Sequence, residues 1–225
     1  MLPRPTILAF DTSAAHCAAT LLRDGQIVSR VEDMAKGQGE RLMGLLEDLL
    51  AENNTTWADL DGIGVGTGPG NFTGIRIAVS AARGLALGLG IPAVGVSAFD
   101  AAAYGLSNVI VCLPAPRDQA YVQAQVSGAD QDARLVELPR LKAFPDVPAK
   151  AEARFVGPAA QAVGQAYMGR AFGHADVVEQ SVIPIEAITW IAAARRRHET
   201  KRPAPMYVKP PDAAPSRDAP PVILP

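Results

Sequence analysis

Short apolar runs bounded by turn residues alternate along this chain with longer stretches of helical periodicity. The short runs predict strands, and the longer stretches predict helices. The predicted strands are residues 6–10, 18–22, 27–31, 63–65, 92–96, 108–113 and 120–126, and the predicted helices are residues 39–52, 73–90, 98–104, 159–168 and 184–197. Ser97 is expected to cap the third helix, and residues 139–158 are expected to form short elements and loops.

The order of these elements divides the chain into two lobes and a tail. Residues 1–104 open with three strands, the last two joined by a turn centred on Asp24-Gly25, and residues 105–202 open with another strand pair. Residues 203–225 contain eight prolines, which exclude a long helix. We therefore expect an N-terminal lobe over 1–104, a smaller C-terminal lobe over 105–202 and a proline-rich tail in which only residues 206–209 form a strand.

A glycine-rich stretch, residues 66–77, connects the strand at 63–65 to the helix at 73–90. Its glycines at 66, 68 and 70 permit positive φ and close approach, and Pro69 fixes one turn angle. Backbone N–H groups at the head of the helix, helped by Arg76, would suit an anion. The stretch lacks the Gly-Lys-Ser/Thr of a Walker A loop, and a purely structural tight turn explains it equally well.

The turn Asp11-Thr12-Ser13 follows the first strand, at the end of a strand where open α/β sheets place ligands. An aspartate is also a good turn former, so a structural role remains open. Together with the glycine-rich stretch, this turn gives a candidate anion or nucleotide site. Its members are Asp11, Thr12, Ser13, Gly68, Gly70, Asn71, Thr73 and Arg76.

The helices at 39–52 and 73–90 present apolar or small residues over wide surfaces. Small residues let another helix come close. These surfaces can pack inside the chain or form an interface with a second protein, and both interpretations remain open. The candidate interface residues are Leu42, Leu45, Leu46, Leu49, Gly74, Ile77, Ala78, Ala81 and Leu85.

Composition narrows the class of protein. Of the 225 residues, 48% are hydrophobic, which excludes a disordered chain. The formal net charge is -2, so the chain is not expected to bind nucleic acid by bulk charge. Two cysteines indicate reduced thiols. We expect a soluble cytoplasmic protein, because no signal peptide and no apolar run of roughly 18 residues is evident. The three consecutive arginines at 195–197 are interpreted as a solvated helix end, and contact with RNA is the alternative.

Three stretches in combination resemble the TsaB (YeaZ) family: Asp11-Thr12-Ser13, residues 68–77 and residues 207–213. The resemblance covers nearly the full length and is firmest over residues 6–104. Asn71 stands where the family usually has serine, and Lys209 stands where arginine is expected.

The resemblance implies an actin-like, Hsp70-like α/β fold with two lobes, each built on a mixed sheet with flanking helices. It also implies a non-catalytic partner of the TsaD threonylcarbamoyltransferase, in a system that modifies tRNA beside the anticodon with threonylcarbamoyladenosine. TsaE would supply ATPase activity, and the chain alone would form a homodimer through the same helices. Contact with tRNA would be indirect, through the complex, and no membrane is involved.

The residues themselves argue against catalysis by this chain. A TsaD-like metal site needs two histidines one helical turn apart, whereas His16, His174 and His198 are far apart in sequence. The turn at residues 114–117 has two prolines and no glycine, so it lacks donors for a second phosphate clamp. We expect no metal, no catalytic residue and no cofactor beyond weak ATP or ADP binding in the complex.

Two hypotheses in which the chain is itself an enzyme remain as alternatives. The first is a free-standing actin-like ATPase or kinase that would use Asp11 and the glycine-rich stretch. The second is a protease, and it ranks last because the sequence contains neither HExxH nor GxSxG.

Overall fold

The computed structural model describes residues 4–126, 129–130, 132–141, 154–168, 177–178, 180 and 182–208. The strands are β1 Ile7–Asp11, β2 His16–Arg23, β3 Gln26–Asp33, β4 Gly62–Gly66, β5 Ala93–Val96, β6 Val109–Ala115, β7 Gln119–Val126, β8 Ala129–Asp130, β9 Arg134–Glu137, β10 Arg154–Val156 and β11 Val177–Val178. The helices are α1 Gln38–Glu52, α2 Phe72–Leu89, α3 Ala98–Ala102, α4 Ala160–Met168 and α5 Ile185–Arg195.

The first sheet has the strand order β3-β2-β1-β4-β5. β1, β2 and β3 pair antiparallel, and β4 and β5 add in parallel on the other side of β1. Alternate side chains of β1 point to opposite faces: Leu8 and Phe10 pack in the cluster that contains α1 and α2, whereas Ile7 and Ala9 pack in the cluster that contains α5. Both faces of this sheet are therefore covered by helices.

The second sheet repeats this arrangement. Its order is β11-β10-β6-β7-β8, with β9 paired to β7. An antiparallel pair, β6 and β7, is again extended by parallel strands, β10 and β11. Ile110 and Cys112 face the cluster with α4, and Val109 and Val111 face the cluster with Phe99 of α3. The predicted fold of two mixed sheets with flanking helices is confirmed.

Helix α5 departs from the predicted lobe boundary. It lies within residues 105–202, yet Ile188, Ile191 and Ala192 pack against the first sheet. Gly64 of β4 makes room for it, because a Cβ there would lie 2.9 Å from the Cβ of Ala192. By packing, α5 is part of the N-terminal lobe, which sequence order alone does not indicate.

Several local predictions also need correction. α3 ends at Ala102 instead of residue 104, and the strands β8 to β11 were not predicted because they are only two to four residues long. The hairpin turn after β6 begins at Pro116, since Pro114 and Ala115 are still paired with β7.

The tail strand predicted at 206–209 is absent from residues 206–208, and the single pairing there is a hydrogen bond from Met206 N to Thr67 O at 2.8 Å. Residues 209–225, and with them Lys209 and most of the predicted proline-rich tail, lie outside the described residues.

Candidate functional site

The glycine-rich loop, defined here as residues 66–71, and the turn after β1 meet at one edge of the first sheet. β1 and β4 are parallel neighbours, so both strands end at the same edge. Asp11 is so close to Gly66 that a Cβ on Gly66 would collide with its carboxylate. The structure thus brings together the two stretches that the sequence analysis combined.

Backbone contacts lock the two stretches to each other. Asn71 N donates to Ser13 O at 2.6 Å, and Thr12 Oγ1 donates to Gly74 O at 2.7 Å. A Cβ on Gly70 would collide with Ser13 O, and one on Gly74 would collide with Thr12 O. Both glycines are therefore required for close approach of the backbone.

The middle of the glycine-rich loop is hydrogen-bonded to β5 and to the start of α3. Gly68 has φ +86, a conformation that favours glycine, and it is followed by a cis peptide bond to Pro69. Gly68 O accepts a hydrogen bond from Ala98 N at 2.8 Å, and Thr67 N donates to Val96 O at 2.9 Å. β5 and the start of α3 thus fix the loop in one conformation.

The carboxylate of Asp11 is engaged within the chain. Ser13 Oγ donates to Oδ2 at 2.8 Å, Ser13 N donates to Oδ1 at 3.3 Å, and His16 Nε2 lies 3.0 Å from Oδ2. The hydrogen bond with Asp11 is the main cause that raises the pKa of His16, against the opposing effect of burial. His16 was not among the predicted site residues, since a lone histidine at the start of a strand gives no sign of this contact.

The head of α2 is partly capped by its own side chains. Asn71 is the N-cap, and its Oδ1 accepts from Gly74 N at 2.9 Å. Thr73 is exposed beside it. Arg76 turns to the C-terminal segment, where its Nε donates to the Tyr207 hydroxyl at 2.9 Å and its guanidinium carbon lies 3.7 Å from the centre of the Phe72 ring. Most polar groups of this cluster therefore have partners inside the chain, as in a structural turn.

Known proteins are similar to this chain in sequence and in fold. A family model described as TsaD, tRNA N6-adenosine threonylcarbamoyltransferase, matches residues 32–195. The protein of Escherichia coli named tRNA threonylcarbamoyladenosine biosynthesis protein TsaB is 36% identical over 99 residues, which are 44% of this chain and 43% of that protein. The TsaB protein of Haemophilus influenzae is 31% identical over 122 residues, 52% of each chain. The chain thus spans about half the length of the curated relatives it matches.

Solved structures extend the likeness over the whole fold. The structure described as YeaZ from Pseudomonas aeruginosa has a TM-score of 0.69 at 27% identity and covers 90% of this chain and 99% of its own. A second structure, described as an uncharacterized protein of the same organism with similarity to peptidase YEAZ, has a TM-score of 0.71 at 28% identity, covering 91% and 100%. This chain belongs to the TsaB (YeaZ) family.

In this TsaB-family chain, most of the predicted interface residues are core residues. Leu42, Leu45, Leu46, Leu49 and Ala78 are at most 1% exposed, and Gly74 is buried against Thr12. The prediction that these six contact a partner directly is wrong, because the first sheet already covers them. Ile77, Ala81 and Leu85 are half-buried at the edge of the same cluster and remain candidates.

A further surface of α2 consists of residues that were not among the predicted interface residues. Thr73, Ser80, Gly84 and Leu87 are exposed along it, and Leu87 is 83% exposed. In the part of the chain that the structure describes, nothing lies within 4 Å of a Cβ placed on Gly84 or Gly88. We call the surface formed by residues 73, 80, 84, 87 and 88 the outer face of α2.

The length and composition of α2 also bear on whether a segment of this chain could cross a membrane. With 18 residues it is long and apolar enough to cross a membrane by length and composition alone, although Arg76 and Arg83 interrupt its apolar sequence. Ile75, Val79 and Ala82 nevertheless pack in the core of the first lobe, and 28% of the helix is buried there. Phe72 and Leu87 are the large apolar side chains of α2 that remain exposed.

Among the residues that the structure describes, no group of three or more His, Cys, Asp or Glu side chains is placed to hold a metal ion. His174 is outside that part of the chain.

Proposed function

We propose that this chain is a partner protein in the synthesis of threonylcarbamoyladenosine on tRNA, and that it binds TsaD through the outer face of α2 and the adjoining edge of α1 without catalysing the transfer itself. The names of the curated relatives support the process. The observation that carries the partner role is the uncovered outer face of α2.

Exposed glycines inside a helix need an explanation. Glycine in a helix interior is less favourable than alanine by about 1 kcal/mol, and among the described residues nothing lies within 4 Å of a Cβ placed on Gly84 or Gly88. Together with Ser80 they leave a shallow, small-residue surface on which a second helix can pack closely. Leu87 beside them supplies apolar area for such a contact.

The edge of α1 extends this surface. A Cβ on Gly39 would lie 3.6 Å from Ile77 Cδ1, so the start of α1 adjoins the middle of α2. Met43 is exposed one turn further along α1. Ile77, Ala81 and Leu85 of α2 are half-buried against the core cluster to which α1 and α2 both contribute, and a homodimer of the isolated chain would use the same surface.

The contacts of the Asp11 carboxylate argue against catalysis by this chain. This carboxylate already binds Ser13 and His16, and a nucleotide-bound cation would have to displace the imidazole. In the second lobe, Pro114 and Pro116 offer no N–H groups for a phosphate. The proposal includes TsaE as a further partner, a cytoplasmic location, indirect contact with tRNA, and at most weak ATP or ADP binding in the complex.

The test is a charged side chain on the outer face of α2. Gly84→Glu should abolish co-purification with tagged TsaD of the same organism, because it places a carboxylate where the partner helix would pack. It should leave the fold intact, since the site is open and glycine is unfavourable in a helix. Thermal unfolding of the purified variant checks this second point.

The matched control is Ala162→Glu, which makes a similar change at an exposed position of α4 in the second lobe. It should leave co-purification unchanged. Charged substitutions at Ala78 would not be informative, because Ala78 is fully buried and the fold itself would suffer. Retention of TsaD by Gly84→Glu would refute this interface.

The alternative of a free-standing ATPase or kinase rests on the position of Asp11 beside a fixed glycine-rich loop. It requires tight binding of Mg-ATP by the chain alone, measured by calorimetry and lost in Asp11→Asn. Our proposal expects no such binding in the absence of TsaD.

A further inference from the structure

Positive charge is concentrated on one part of this chain. α2 contains Arg76 and Arg83 and no acidic residue, and residues 195–208 contain five Lys and Arg residues against the single acid Glu199. The whole chain has a net charge of -2. The remaining residues are therefore acidic in total, and the basic residues are segregated to α2 and the segment that follows α5.

Contacts place these two basic segments side by side. Arg83 Nε donates to Pro203 O at 2.7 Å, and Arg76 Nε donates to the Tyr207 hydroxyl at 2.9 Å. Arg76 and Arg83 are seven residues apart, so they lie on one side of α2, separated by roughly 10 Å. Residues 201–208, which we call the strap, thus run along this side of the helix. The basic stripe formed in this way consists of Arg76, Arg83, Lys201 and Arg202, all exposed.

One end of the basic stripe carries two exposed aromatic rings. Phe72 is 47% exposed and Tyr207 is 43% exposed, and their ring centres are 5.3 Å apart with 30° between the planes. The guanidinium of Arg76 lies over the Phe72 ring. Large exposed rings are unfavourable in water, whereas aromatic rings and guanidinium planes are the surfaces on which unpaired bases stack.

We infer that the basic stripe and the Phe72–Tyr207 pair bind a single-stranded or loop segment of RNA. The four cations contact successive phosphates, and the rings stack unpaired bases. This inference rests on the proposed function only for the choice of tRNA as that RNA, and it adds a direct contact with tRNA to the indirect contact made through the complex. The stripe lies roughly 80° around α2 from the outer face, so RNA and the partner protein can be bound together.

RNA fits this surface better than other anionic partners do. An acidic protein segment would match the charges but would leave the two rings without a role. A membrane surface would require apolar side chains between the cations, and the residues of α2 midway between Arg76 and Arg83 are Val79, which is buried, and Ser80, which is polar.

The experiment measures fluorescence anisotropy of a labelled, unmodified tRNA transcript and of a short single-stranded RNA, with the full-length chain alone and in complex with TsaD. Arg76→Gln combined with Arg83→Gln should weaken binding at least about tenfold and reduce the slope of log K against log salt by about 1 to 2. Tyr207→Ala should also weaken binding by about tenfold. Tyr207→Phe, which keeps the ring and loses only the hydroxyl, should bind nearly as the unaltered chain does.

The matched control removes the same charge elsewhere. Lys36→Gln combined with Arg140→Gln alters two exposed cations outside the stripe and should leave binding unchanged. Equal loss in both double variants would show that only bulk charge matters and would overturn the inference. So would unaltered binding in the stripe variant, or stripe-dependent binding to phosphatidylglycerol vesicles with no effect on RNA.

Two further readouts separate this inference from the proposed function. The stripe variants should still co-purify with TsaD and should unfold at temperatures close to that of the unaltered chain. If Gly84→Glu fails to disrupt the TsaD complex while the stripe variants lose RNA, the partner interface is wrong and the RNA surface stands. The reverse pattern leaves the partner interface standing and removes the RNA surface.

Discussion

The side chain of Asp11 connects the end of β1, the turn that follows it and the start of β2. It accepts hydrogen bonds from Ser13, and His16 Nε2 lies 3.0 Å from its Oδ2. Both members of the His16–Asp11 pair are largely shielded from water, with side chains 18% and 12% exposed. A charged pair in this position stabilises the turn more than a fully exposed pair would.

The His16–Asp11 pair should therefore make stability depend on pH. The pKa of His16 is raised in the folded chain, so its contribution is fully present below the unfolded value of about 6.5 and is lost as pH rises through the folded value. His16→Gln should lower the free energy of unfolding by on the order of 1 kcal/mol near pH 5.5 and by less near pH 8.5. Urea unfolding at the two pH values measures the difference.

His198→Gln is the control, because His198 is exposed at the end of α5. It should show no such difference between the two pH values. A larger effect of His16→Gln at the higher pH would contradict the sign of this linkage.

Asn71 shows how one residue of the loop acts on the helix behind it. Its side chain accepts from Gly74 N, one of the N–H groups that α2 cannot satisfy internally. Asn71→Ala should lower the free energy of unfolding by about 1 kcal/mol, and Asn71→Ser by much less, because serine also caps well. The midpoint of urea unfolding distinguishes them, and equal midpoints for the two variants would argue against capping.

At the scale of the element, α2 contains two kinds of glycine. Gly74 is buried where a Cβ would collide with the backbone oxygen of Thr12, whereas Gly84 faces open space. The first glycine lets α2 approach the turn after β1. The second has no neighbour within 4 Å of such a Cβ among the described residues, which is why we assign it to a partner.

The same substitution at these two glycines should have opposite effects. Gly74→Ala should lower the free energy of unfolding by at least about 3 kcal/mol, since backbone must move to admit the methyl group. Gly84→Ala should raise it by about 1 kcal/mol through helix propensity. Thermal unfolding of both variants provides the measurement, and a loss of stability in Gly84→Ala would show that the isolated chain does use this glycine.

Elements of this kind also show what the sequence can and cannot predict. The helical period of α1 was clear, and the turn at Asp11 was combined with the glycine-rich stretch into one candidate site. That both lie at one edge follows from the parallel pairing of β1 and β4, which the structure shows. Periodicity does not tell which apolar side is covered, and the leucines of α1, such as Leu45 and Leu46, proved to be core. The contact of His16 with Asp11, and that of Arg76 with Tyr207 across 131 positions, depend on packing that no local pattern reports.

At the scale of the molecule, the two lobes are not consecutive segments of the chain. One face of the first sheet is covered by α5, which follows the strands β6 to β11 in the chain, and Ile188 packs there at 4% exposure. Ile110 occupies a comparable position in the second lobe, at 3% exposure under α4. These two isoleucines permit a direct test of which lobe α5 stabilises.

Shortening either isoleucine to alanine should lower the free energy of unfolding by about 2 to 5 kcal/mol. Where the two lobes open separately, the effect should be confined to the lobe in which the isoleucine packs. Amide hydrogen exchange should therefore become faster in β1 and β4 for Ile188→Ala, and faster in β6 and β7 for Ile110→Ala. If α5 belonged to the second lobe, as its position in residues 105–202 suggests, both variants would affect β6 and β7. The assignment of α5 to the first lobe would be contradicted if Ile188→Ala made exchange faster in β6 and β7, or equally faster in both sheets. A helix packed on the first sheet should protect the amides of that sheet more than those of the second.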